Sequence, residues 1–215
     1  EPEFLDTHKQ LIESAHILHI NGRHRQLMRS AMAVAKEVGT IISLDGGAQR
    51  YDEDMKPITE ASHIVIVARD YAEKYTGTTN LEDACRIIHE RGACIAGVTD
   101  GANGSYFVWP DGTSYRCEPF TQATVVDTTG AGDSFHGAFL ANLVHTINHM
   151  MGQDATSTTK HDRASIHAVE LLKACAHSDL EKAAIFASAV ASLNTQGIGG
   201  RSPLPTLKSV QELIG

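Results

Sequence analysis

The chain has 215 residues, which suits one domain or one and a fraction, with 42% hydrophobic residues to supply a core and a formal charge of −8. No basic block is present, which argues against nucleic acid or an anionic membrane surface as the main partner. No apolar run approaches the roughly 18 residues of a membrane span and no signal peptide opens the chain, so a cytoplasmic protein is expected. Cys85, Cys94, Cys117 and Cys175 stand far apart without a C-x-x-C and read as reduced core thiols. The chain opens on Glu1-Pro2-Glu3-Phe4 with no initiator Met, and a fragment is expected.

Residues 5–15 read as the end of a helix. Residues 16–20 form a short strand on Ile17, Leu18 and Ile20. Residues 23–38 are an amphipathic helix closed by Gly39. Residues 40–44 are a buried-type strand with Asp45-Gly46-Gly47 at its exit, 54–61 a helix, and 64–67 a second buried strand. Residues 80–91 form a helix, with Asn80 and Asp83 at capping-box spacing, and 94–98 a further strand. This alternation of short, continuously apolar strands with helices implies a parallel sheet covered on both faces. Ligands bind at the C-terminal strand ends of such sheets. Asp45, Arg69-Asp70, Thr99-Asp100-Gly101 and the 127–133 loop are therefore expected on one rim.

The pattern then changes. Residues 105–109 and 113–117 flank Pro110-Asp111-Gly112 and read as a β-hairpin. Val125 and Val126 end a predicted strand, Asp127-Thr128-Thr129 turn the chain, and Gly130-Ala131-Gly132 form a loop almost without side chains. Asp133-Ser134 open a helix whose apolar positions Phe135, Ala138, Phe139 and Leu143 keep helical spacing. A glycine loop entering a helix points free N–H groups at one spot, which suits an anion, typically a phosphate. Asp133 has two readings there. It caps the helix, or it takes a proton from a hydroxyl that attacks phosphorus. No Walker loop, dinucleotide fingerprint, G-x-S-x-G elbow or H-E-x-x-H helix occurs in the chain.

Residues 152–162 are Thr/Ser-rich without periodicity and read as a mobile loop before an extra helix at 164–176. His145, His149, His161, His167 and His177 fall in or near this stretch and read as solvated, although His145 and His149 have chelating spacing. Ser178 and Glu181 have capping-box spacing ahead of an alanine-rich helix at 182–193. Its small residues permit close packing of another helix or of a flat ligand. Gly101 and Gly104 read as turn formers.

D-T-T-G-A-G-D at 127–133 resembles the C-terminal signature of the ribokinase-like (PfkB) carbohydrate kinases, and I-V-A-R-D-Y-A at 66–72 resembles their ketohexokinase and fructokinase-like branch. The resemblance implies a three-layer αβα sandwich with a mostly parallel sheet and a hairpin before the signature helix. It covers all 215 residues but only the last two thirds of a family member, so the first strands and the lid are absent. The chain would be a single partial kinase domain, 1–215, with an insertion at 149–177.

By the same resemblance Asp133 is the catalytic base, and Gly130, Ala131, Gly132 and Asp133 form the anion hole. Thr99, Gly101, Gly104 and Thr129 line the ATP phosphates. The alanine-rich helix through position 188, a serine (Ser188), and the loop with Gly197 and Gly199 wall the adenine pocket. Asp127 and Thr129, with carbonyls of 199–202, hold a monovalent cation such as K+. The implied ligands are ATP, Mg2+ and a small sugar, and the implied assembly is a homodimer through the lid. The family's N-x-x-E is replaced by Ala68 and Tyr71, with Asp70 or Glu73 as substitutes beside Mg2+. The expected activity is ATP-dependent phosphorylation of a sugar hydroxyl. A nucleoside kinase of the same fold and a non-catalytic nucleotide- or sugar-binding descendant are the alternatives.

Overall fold

The computed structural model describes residues 2–121, 124–151, 168–201 and 204–215. Strands β1 (Ile17–Ile20), β2 (Ile41–Gly46), β3 (Ile64–Ala68) and β4 (Ile95–Thr99) run parallel. The antiparallel hairpin of β5 (Ser105–Val108) and β6 (Ser114–Cys117) extends the sheet, whose order is β1-β2-β3-β4-β5-β6. All three crossovers between parallel strands carry helices on one face: α2 (Arg25–Val38), α3 (Lys56–Glu60), then α4 (Arg69–Thr76) with α5 (Leu81–Glu90). Crossovers of one hand on one face lay successive strands down in sequence order. The other face is covered by α6 (Ala131–Met150), α7 (Ala168–Ala174) and α8 (His177–Asn194). Helix α1 (Pro2–Ser14) leans on α2, and α9 (Leu207–Ile214) on α8.

The strands read as unbroken apolar runs because both of their faces are buried. Val65 and Val67 of β3 pack toward the first helix layer, while Ile64 and Ile66 pack toward α6 and α8. The same alternation puts Ile42 and Leu44 of β2 on one side and Ile41 on the other, so Ser43 and Asp45 share the α6 side. Both Ser43 and Asp45 are buried. The hairpin contributes stacked rings, with Phe107 at 4.9 Å from Trp109 and 5.7 Å from Phe139 between centroids. All four cysteines are free and buried, as expected, and burial pushes their thiols up, to about 12 for Cys85.

Several local expectations are corrected. Val125 and Val126 form no strand. They are 62% and 55% exposed, and the Val126 amide donates to the Thr195 carbonyl at the end of α8 rather than to a strand. Helix α6 begins at Ala131, two residues before Asp133. Helix α8 begins at His177 after Ala176, so Ser178 lies inside its first turn and caps nothing; His177 instead meets Asp111 of the hairpin turn at 3.0 Å. Asn80 does cap α5 through Glu82 N and Asp83 N, but its own amide donates to the Thr78 hydroxyl, leaving the box half-made. The 54–61 helix divides into a 3-10 turn at Glu53–Met55 and α3. Helix α4 has no counterpart in the sequence reading. The predicted loop at 152–162 and the start of the extra helix lie outside the described residues.

Candidate active site

The loops leaving β2, β3 and β4 meet on one rim. Arg50 stands 3.7 Å from Asp45, the Gln49 amide donates to Asp70 at 2.6 Å, and Arg69 pairs with Glu73 at 2.8 Å and Asp100 at 2.9 Å. Gln49 is held at φ 62, and Asp70 secures that turn. The proposed stand-ins for the lost N-x-x-E, Asp70 and Glu73, are therefore both engaged with protein partners. Tyr71 is buried against Thr59, with its hydroxyl 2.6 Å from the Thr59 hydroxyl, and burial pushes its pKa up to about 12.

The signature turn is built by two devices. Gly130 sits at φ 80 with its backbone against Gly200; a Cβ there would lie 2.5 Å from Gly200 Cα. Asp127 ties the same two loops together. Its Oδ1 accepts from Thr129 N and its Oδ2 from Gly199 N, both at 2.9 Å. These bonds, Thr129 first, hold its carboxyl below the usual carboxylate value. The stability it supplies is therefore fully present above that usual value and is lost as pH falls through the lower folded value. Wild type and Asp127→Asn should accordingly differ more in melting temperature at about pH 7 than at about pH 3. An equal difference at both pH values would show that the charge is not what joins the loops.

The amides of this turn are unevenly used. Ala131 N donates to Thr128 O and Ser134 N to Gly130 O. The amides of Gly130, Gly132 and Asp133 have no partner among the described residues. They are the orphan donors that every helix N-terminus exposes, and they lie at the positive end of a 20-residue helix. Asp133 occupies the first turn, is exposed, and makes no capping hydrogen bond, since Gly130 is the N-cap. Its carboxylate has no hydrogen-bond partner among the described residues. His19 of β1 feels its charge. That imidazole is held below its ordinary value by partial burial first and by His136 second, with Asp45 and Asp133 opposing.

A cleft of about 460 Å³ opens beside the turn. Thr99, Gly101, Gly104, Ala131, Gly132 and Ser188 all line it. Gly130, Thr129, Asp127, Asp133, Gly197 and Gly199 are not on its wall; the first four belong to the adjoining turn. The sequence reading missed Phe120, Thr121, Val125, Ser192 and Thr195, which also line the cleft. No motif marks them. The hydroxyls of Ser188 and Ser192 hold this wall in place by donating to the Glu118 and Phe120 carbonyls at 3.4 and 2.9 Å. Ser188 thus serves the cleft by fixing its far side. Ser192→Ala should cost about 1 kcal/mol of stability, which unfolding in denaturant would measure; no change would mean the staple is dispensable.

Among the described residues no group of three or more His, Cys, Asp or Glu side chains could hold a metal ion. His145 and His149 accordingly gain no third ligand there. Each Asp127 oxygen accepts one N–H donor and keeps a further lone pair.

Solved structures define the class. Giardia lamblia ribokinase matches with a TM-score of 0.73 and 17% identity, over 99% of this chain and 64% of that one. Arabidopsis thaliana ribokinase complexed with ribose and ATP matches with a TM-score of 0.71 and 23% identity, over 97% and 59%. The fold is ribokinase-like. Sequence narrows it further: the pfkB family carbohydrate kinase description matches residues 1–207, and the chain belongs to that family. A probable fructokinase-5 from Arabidopsis thaliana is 27% identical over 225 residues, covering 97% of this chain and 61% of the relative. A bifunctional ribokinase/ribose-5-phosphate isomerase A from Fructilactobacillus sanfranciscensis is 26% identical over 190 residues, covering 86% and 29%. The chain spans less than two thirds of the length of these relatives.

Proposed function

We propose that the protein transfers the γ-phosphoryl group of ATP to a hydroxyl of a small sugar. One observation carries the reading. An exposed carboxylate, Asp133, stands without a hydrogen-bond partner among the described residues on a helix turn whose Gly130, Gly132 and Asp133 amides are equally unpartnered, beside a cleft of about 460 Å³. A volume of that order suits a small-molecule ligand.

Asp133 takes the proton of the acceptor hydroxyl as its oxygen bonds to the γ-phosphorus. The bond from that phosphorus to the bridging oxygen breaks, and ADP leaves with the electron pair. The Gly130, Gly132 and Asp133 amides donate to the phosphoryl oxygens as charge builds on them. Asp127 and Gly130 keep those amides converged by fixing the turn on the 199–200 loop. Thr99, Gly101, Gly104 and Ser188 form the nucleotide side of the cleft, with Gly197 and Gly199 in the loop beyond it. Mg2+, and a monovalent cation held near Asp127 and Thr129, belong to the same proposal through the family. The homodimer through the lid also stays a proposal. Among the described residues no helix is long and apolar enough to cross a membrane, and a cytoplasmic setting is proposed with the rest.

A nucleoside acceptor is the second reading. It is favoured by a Saccharomyces cerevisiae adenosine kinase 28% identical over 160 residues and a Thermococcus kodakarensis cytidine kinase 32% identical over 87. ADP release by the full-length protein, measured against ribose, fructose, other ketoses, adenosine and cytidine, separates the two. Turnover on a sugar establishes the first reading, and turnover on a nucleoside alone the second. ATP binding without turnover on any acceptor would make the protein a binding descendant.

A further inference from the structure

His136 lies on α6 one turn beyond Gly132 and is 3% exposed, yet the phosphoryl-transfer chemistry gives it no task. Its Nδ1 is 2.8 Å from the Gly132 carbonyl oxygen, and its Nε2 is 3.0 Å from the Ile66 carbonyl oxygen of β3. Asp45 Oδ1 of β2 stands 3.8 Å from the same Nε2. A neutral imidazole has one N–H. Which nitrogen carries it decides which of the two carbonyls receives the hydrogen bond, and the ring bridges both. The buried Asp45 carboxylate lies beside the ring, with Arg50 3.7 Å behind it. His19 of β1 faces the ring at 5.7 Å between centroids and is 3.2 Å from the Ser43 hydroxyl. Asp133, on the ring's own helix, also acts on His19 through its charge.

Apart from the buried Ser134 and Phe135, the latter 6.4 Å from Phe107 of β5 between ring centroids, the first turn of α6 has little to hold it on the sheet. A Cβ at Gly132 or Gly137 would touch nothing, Asp133 is exposed, and the residues before Gly130 are loop. Helix ends fray unless tied down. We propose that His136, packed beside Asp45, is a positioning residue that struts the Gly132 carbonyl against β3 and so fixes where the Asp133 carboxylate and the turn's free amides point. The proposal rests on the reading of Asp133 as the base. It links two features the sequence keeps apart: Asp45 at the end of β2 and His136, 91 positions later, on the signature helix.

The test uses the full-length protein. His136→Phe keeps a ring of similar volume and removes both ring nitrogens. kcat is expected to fall about tenfold or more, because small misplacements of reacting groups cost heavily, while KM for ATP and the nucleotide Kd stay within about threefold. Amide hydrogen exchange in the 127–136 segment should accelerate about tenfold, with β3 and α8 unchanged. His136→Gln, which restores one donor, should recover part of kcat; a packing role alone would not produce that rescue. A folded His136→Phe protein with kcat within about twofold of wild type and unchanged exchange overturns the proposal. If that variant does not fold, Asp45→Asn decides by the same readouts. If the wild-type protein turns over no acceptor, exchange alone decides. Acceleration confined to 127–136 supports the strut while the kinase reading fails, and unchanged exchange overturns the strut.

Discussion

Asp133→Asn should lower turnover about a thousandfold, within the range expected when a general base is removed. The substitution is nearly isosteric at an exposed position that makes no hydrogen bond to a described residue, so the fold has little to lose. Removing a negative charge from a helix N-terminus costs about 0.3–1 kcal/mol, which sets the expected drop in melting temperature at no more than about 4 °C. ATP affinity should hold or rise, because the carboxylate repels the phosphate that the neighbouring amides attract. This split is what separates a base from a binding residue: kcat collapses while the nucleotide dissociation constant does not worsen. Steady-state ADP release and calorimetric titration of ATP measure the two halves. Activity within about tenfold of wild type would remove Asp133 from the chemistry and leave the anion site without a reaction.

The sheet was legible because burial on both faces leaves a simple mark. Ile64-Val65-Ile66-Val67 has no polar alternation to confuse it, and the structure buries all four. The 130–133 turn was legible because its glycines and acid are local in sequence. Helix α4 was not, although Tyr71 and Tyr75 are one turn apart and buried and Gly77 closes it in the left-handed conformation. Eight residues with two buried tyrosines give too short a period to stand out from a loop. Val125-Val126 misled in the opposite direction. β-Branched residues favour strands only where a neighbouring strand and a covering face exist, and here the partner is a helix end. Capping at Ser178 failed because the His177–Asp111 contact comes from a hairpin 66 positions away. The Phe120–Ser192 staple and the Asp45–His136 pair are tertiary in the same sense. No local pattern encodes them, and each shapes the site.

Gly130→Ala should damage both stability and catalysis, for a reason that Gly132 lets one isolate. At Gly130 the backbone is left-handed at φ 80, where a Cβ costs about 1–2 kcal/mol. That Cβ would also meet Gly200 Cα at 2.5 Å and Gly200 O at 3.1 Å. Both are backbone atoms, so relief requires the two loops to part and to loosen the Asp127–Gly199 bond that joins them. A loss of about 2–4 kcal/mol is expected, or about 5–15 °C in melting temperature for a chain of this size. The surviving folded fraction should turn over about a hundredfold more slowly, because the displaced amides no longer converge on the phosphoryl group. At Gly132 a Cβ meets nothing and the residue lies within a helix, so Gly132→Ala should keep or raise stability, by up to about 1 kcal/mol. Yet Gly132 lines the cleft, and its new methyl group would stand where a ligand approaches the turn. Nucleotide affinity should therefore fall in a protein that melts no lower than wild type. If Gly132→Ala binds ATP as well as wild type does, the nucleotide does not approach the turn at Gly132, and the amides of 130–133 lose their assignment to the phosphoryl group.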